Sequence, residues 1–76
     1  MKTTFKKGNL YINKNSRLVV KCTRDSIQGS YNFEGTVTDQ GLDYIPVGHH
    51  EVTWNVRVFS LYYEDTKQEP ELNIIL

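Results

Sequence analysis

His49, His50 and Glu51 stand in a row directly after Gly48, three side chains of metal-ligand type. On extended backbone adjacent side chains point apart, so at most one of the two histidines can share an ion with Glu51. A structural zinc site takes four nitrogen or sulfur ligands, and the single cysteine, Cys22, belongs to another segment. The triplet therefore reads as a pair of loop histidines, and no metal is expected. Cys22 beside a histidine would be a nucleophile with its base. It falls in phase with Leu18 and Val20, however, on the side of its segment that should be buried, where a thiol acts as a small hydrophobe. No carboxylate pair is better placed for acid–base work. The isolated Gly29, Gly41 and Gly48 match no phosphate-cradling loop. The residues thus point to a non-enzymatic protein with no catalytic residue and no cofactor.

Charge gives a second candidate. Residues 1–24 hold Lys2, Lys6, Lys7, Lys14, Arg17, Lys21 and Arg24 and no acid, whereas the other 52 residues hold all nine acids against Arg57 and Lys67. The net charge of zero is a +7 piece (seven bases, no acid) joined to a −7 piece (two bases, nine acids). The plainer reading is that the two pieces fold against each other and neutralise locally. The sharper one is a face for single-stranded nucleic acid, where cations surround an aromatic ring. Its residues would be Lys14, Arg17 and Lys21 on the first hairpin, with Tyr11 beside them.

These candidates must be positioned by short strands. Asn-, Asp-, Ser- and Gly-rich stretches at 12–17, 24–30, 38–42 and 47–51 are turn signals. Between them 9–12 and 17–24 read as a first pair of strands, with Leu18, Val20 and Cys22 inward and Arg17, Val19, Lys21 and Thr23 outward. Residues 31–38 alternate cleanly, with Tyr31, Phe33, Gly35 and Val37 inward. Gly35 at an inward position predicts a sharp bend or a close neighbour. Residues 42–47 read as a weaker strand, which Pro46 confines to an edge. No window shows helical periodicity, and 76 residues bury one core of about a dozen side chains. A small all-β, five-stranded, strongly bent barrel is the economical solution.

The order of the motifs adds a resemblance. A glycine-led KKGNLYI, a valine-rich RLVVKCT and FEGTV are followed by Val47-Gly48, five residues, Trp54, four residues and Phe59. Over residues 6–63 this resembles small proteins of gut Bacteroidales bacteria and their phages, in which an F-x-G-x-V strand precedes a V-G-x5-W-x4-F element. The resemblance implies an SH3-like barrel with a short 3₁₀ turn before the last strand, and it implies no activity. On that geometry residues 50–55 form the turn, Trp54 plugs one end of the barrel, and a last strand from about 57 to 63 turns Phe59, Leu61 and Tyr63 inward. The alternation of Val52, Trp54, Val56 and Val58 argues instead for a strand over 52–58.

The domain is expected to span residues 1–63, with 64–76 a polar linker and an apolar tail that departs from the resemblance. Leu72, Ile74, Ile75 and Leu76 predict self-association, as a homodimer, or pairing with a sheet edge. No apolar run reaches the roughly 20 residues of a membrane helix. The N-terminal residues carry charge without an apolar leader core, so a cytoplasmic protein is expected, in the host cytoplasm if phage-encoded. The function that follows is a protein-binding module, using the edge at 42–47 or the tail. Single-stranded nucleic-acid binding is the alternative.

Overall fold

The turn residues divide the chain much as the sequence suggests, and most of the segments between them are strands. The computed structural model describes residues 3–27 and 29–65, and among these there is no helix. The strands are β1 (Thr3–Phe5), β2 (Leu10–Asn13), β3 (Val19–Arg24), β4 (Ser26–Ile27), β5 (Asn32–Asp39), β6 (His50–Asn55) and β7 (Phe59–Tyr63). Asn13 shapes the turn of the first hairpin: its Oδ1 accepts the N–H groups of Asn15 at 2.9 Å and Ser16 at 3.2 Å. Arg17, in the left-handed region at φ 68°, turns the chain back into β3.

Five strands form one antiparallel sheet in the order β6-β5-β3-β2-β7, and β1 with β4 forms a separate two-stranded pair. One face of the sheet carries the core: Tyr11, Leu18, Val20, Cys22, Phe33, Val37, Trp54 and Phe59, joined by Phe5 from β1. Phe5 stacks on Phe33 with centroids 4.5 Å apart, so the small β1–β4 pair helps to cover the core. Gly35 is needed where it stands. A Cβ there would lie 2.7 Å from the Lys21 carbonyl oxygen and overlap Val20 Cγ1, the close neighbour that its inward position predicted.

The expected barrel does not close. β6 and β7 are the two edges of the sheet and share no ladder. What links them is aromatic contact, with Trp54 and Phe59 5.8 Å apart in an edge-on arrangement and Phe33 5.2 Å from Phe59. Residues 50–55 are strand rather than the expected turn, because β6 pairs with β5 from Asn32↔Asn55 to Thr36↔His50. The turn lies one step later. The Asn55 carbonyl accepts the Val58 N–H at 3.3 Å and its Oδ1 accepts the Arg57 N–H at 2.8 Å. That reversal brings Trp54 and Phe59 to the same side. On one continuous strand, five residues apart, they would face opposite ways. No 3₁₀ segment occurs among the described residues, and the last strand begins at Phe59, not 57.

Other inward and outward assignments change with the ladders. Tyr31 precedes the paired part of β5 and is exposed, its carbonyl accepting the Val56 N–H. Val19 is buried rather than outward, at a bulge where β3 shifts register against β5. A bulge between Leu10 and Tyr11 shifts β7 as well, pairing Tyr63 with Leu10 and Leu61 with Tyr11. Tyr63, opposite outward Leu10, is thereby turned out, whereas Leu61, opposite inward Tyr11, is exposed because β7 is the last strand of the sheet and the core does not reach it. Residues 42–47 form no strand. Turns closed by Asp43 N–H to Gln40 and His49 N–H to Pro46 flank them, and Ile45 alone of their side chains packs on the core.

Candidate functional site

The histidines take up two separate polar contacts. His49 and Glu51, two apart on the chain, converge with Nε2 and Oε2 2.8 Å apart, while His50 faces the other way. The His49 bond, and after it the Thr53 hydroxyl at 3.2 Å, hold the Glu51 carboxyl below the usual range. His50 bridges two side chains of β5. Its Nδ1 is 2.8 Å from Thr36 Oγ1 and its Nε2 is 3.0 Å from Glu34 Oε2. The participation of Glu34 and Thr36 was not anticipated. Their spacing of two on a strand puts them on one face, but only the β5–β6 register brings His50 opposite them.

A carboxylate, an imidazole and a hydroxyl in line are the parts of a nucleophile relay. Here they lie across an open sheet. Thr36 is ladder-paired with Lys21 on one side and His50 on the other, and the next N–H, that of Val37, is donated to the His49 carbonyl. That N–H cannot also serve an oxyanion, so the arrangement reads as a cross-strand polar clip of the kind that stabilises sheets. Among the described residues no group of three or more His, Cys, Asp or Glu could hold a metal ion.

Cys22 is 1% exposed and its Sγ lies 3.0 Å from the Arg24 carbonyl oxygen. Burial above all, and then the negative charges of Asp25 and Glu34, push its thiol pKa up. Such a thiol is a poor nucleophile.

The basic candidates are only partly brought together. Lys14, Arg17 and Lys21 are exposed, but Tyr11 is 4% exposed and belongs to the core. Its ring lies 4.3 Å from Phe5 and its hydroxyl accepts the Lys6 N–H at 2.8 Å. The register explains this, since Tyr11 pairs with inward Val20 while Leu10 pairs with outward Lys21. The aromatic that does stand near Lys21 is Tyr63. One cross-strand row runs Tyr63, Leu10, Lys21, Thr36, His50 over the whole outer face. Beside it a groove of about 640 Å³ is lined by Lys7, Lys21, Thr23, Thr36, Thr38 and Asp65, among others. Local neutralisation by contact is not found: Lys6, Lys7, Lys14, Arg17, Lys21 and Arg24 make no ion pair among the described residues.

Exposed apolar side chains concentrate at two places. One is the loop after β5, where Leu42, Tyr44 and Val47 are exposed, Tyr44 almost completely at 96%. The other is the edge strand β7, where Leu61, Tyr62 and Tyr63 are each more than half exposed in succession. Leu72, Ile74, Ile75 and Leu76 lie outside the described residues. Among those described, no helix is long and apolar enough to cross a membrane. Comparison with protein-family models, curated proteins and solved structures finds no match.

Proposed function

We propose that this protein is a non-enzymatic binding module, built on an SH3-like variant of the bent sheet, that takes an extended protein segment along β7. The observation that carries the reading is the edge itself. FSLYY has no charged residue and no proline, its outer side is unpaired among the described residues, and three successive large side chains face water. Edge strands that must stay solitary are normally blunted by charge or proline. The other edge fits that rule better, since β6 carries His50 and Glu51. Strand addition supplies affinity through the main chain and specificity through alternate side chains. The test is selection from a displayed library of extended peptides, with binders mapped by backbone NMR. Binders that shift the amides of 59–63 and are lost in Leu61→Lys support the reading. Binders that all map elsewhere overturn it.

A second reading is favoured by the unpaired cations of the N-terminal segment. Lys7 and Lys21 flank the outer groove, and Tyr63, not Tyr11, offers a ring for stacking on the Lys21 side, at the end of β2 away from Lys14 and Arg17 at the hairpin tip. Single-stranded nucleic acid held this way loses affinity steeply with salt. A titration of oligonucleotides across a salt series that shows no binding even at low salt removes it.

A further inference from the structure

We infer that the outer groove is a pre-formed site for one nucleotide unit, with the phosphate between Lys7 and Lys21 and the base against the ring of Tyr63. This rests on the nucleic-acid reading above and goes beyond it by naming the unit, how it lies and what holds the site open. Lys21 joins two concavities. It lines the groove that Lys7 also lines, and the adjoining cleft of about 280 Å³ that Tyr63 lines. Tyr63, Leu10 and Lys21 follow one another across three strands, so the backbones that carry the ring and the ammonium group lie about 10 Å apart. The flexible lysine arm is long enough to bring its charge to a phosphate whose base stacks on that ring.

One buried residue braces both walls. Asn9 is 5% exposed, the only buried polar residue among those described. Its Oδ1 accepts the Asp65 N–H and its carbonyl accepts the Cys22 N–H, both at 2.9 Å. The turn that carries Lys7 is closed by the Asn9 N–H to the Lys6 carbonyl. It is tied to β3 by the Gly8 N–H to the Cys22 carbonyl at 2.8 Å, and to Asp25 Oδ1 by the Lys7 N–H at 2.7 Å. Walls fixed in advance spare a ligand the cost of ordering them. Charge then favours an anion. Lys7 and Lys21 make no ion pair among the described residues, and the groove sets one acid, Asp65, against these two bases. Asp65 is engaged within its own chain and its carboxylate lies against Gly8, where a Cβ would come within 2.9 Å of Oδ2. A phosphate therefore settles on the lysine side. Stacking on a ring does not select a base, so the site reads the unit and not its sequence.

The experiment titrates the full chain at low salt with a nucleoside monophosphate, with inorganic phosphate and with a short single-stranded oligonucleotide, followed by backbone NMR. The monophosphate is expected to shift the amides of Gly8, Lys21, Thr36 and Tyr63 by roughly 10 mM, a range suited to a small ligand on an open site. Lys21→Ala and Tyr63→Ala are each expected to weaken it roughly tenfold. Both side chains are exposed, so an unchanged far-UV spectrum is expected too. Arg57→Ala removes the same charge from the turn before β7 and is expected to bind as the wild type does. An oligonucleotide that binds more tightly at the same amides makes the unit part of a strand, whereas equal affinity makes the free nucleotide the ligand; either supports the inference. A monophosphate that shifts none of these amides overturns it, and an oligonucleotide that then binds elsewhere leaves the broader nucleic-acid reading standing. Inorganic phosphate that binds as well as the monophosphate removes the part of the ring and overturns it too. So does an Arg57→Ala loss equal to that of Lys21→Ala, which leaves only general charge.

Discussion

Replacing Trp54 tests the packing argument at its centre. The indole is 9% exposed, meets Phe59 and lies within a cluster with Phe33 and Val37. A tryptophan buries about 150–250 Å², which at about 25 cal/mol per Å² is roughly 4–6 kcal/mol. Measured truncations of buried aromatics to alanine cost about 3–5 kcal/mol. The Nε1–H also donates to the Gly35 carbonyl at 2.8 Å, a bond worth about 0.5–1.5 kcal/mol net. Domains are stable by roughly 0.05–0.15 kcal/mol per residue, or about 4–11 kcal/mol for a chain of this size. Trp54→Ala is therefore expected to leave the fold barely stable or lost. Trp54→Phe keeps a ring and loses the donor, and is expected to cost about 1–3 kcal/mol. Urea melts followed by far-UV circular dichroism read both without relying on tryptophan fluorescence. An alanine variant that melts with the wild type would refute the reasoning, because the indole would then add nothing to the core.

Three further outcomes are expected. Gly35→Ala should lower stability by about 1–3 kcal/mol in the same melts, since the new methyl meets the Lys21 backbone and Val20; an unchanged midpoint would mean the strands separate freely there. Cys22 should react with a thiol reagent far more slowly in the native protein than in urea, given its burial and raised pKa, and fast native labelling contradicts this. His49→Ala should raise the Glu51 pKa towards its ordinary value of about 4.5, read from the carboxyl NMR shift. The sign for stability follows from that depression: the His49–Glu51 contact contributes fully above about pH 4.5 and is lost as pH falls through the lower value in the fold. A Glu51 titration that His49→Ala leaves unchanged would contradict the assignment.

Local pattern was enough for much of this protein. The all-β class, the turns, the phase of Leu18, Val20 and Cys22, and the inward Phe33, Gly35 and Val37 follow from alternation and turn chemistry, which depend on near neighbours alone. The divergence of His49 from His50 follows in the same way. Where the reading failed, a partner strand decided the matter. Tyr11 lies in a run apolar at every position, so its side was settled by pairing with Val20. A bulge turned Tyr63 outward, and a bulge depends on two strands rather than one; Leu61 is exposed because the sheet ends at its strand. The Glu34–His50–Thr36 clip joins residues 14 and 16 apart. Residues 50–55 satisfied both a strand pattern and a family-like turn spacing, and their ladder with β5 chose the strand. Propensity along a chain sets which residues can lie in strands. Register, bulges and the meeting of two sheet edges are set by backbone hydrogen bonds and packing between segments far apart, and those belong to the tertiary structure.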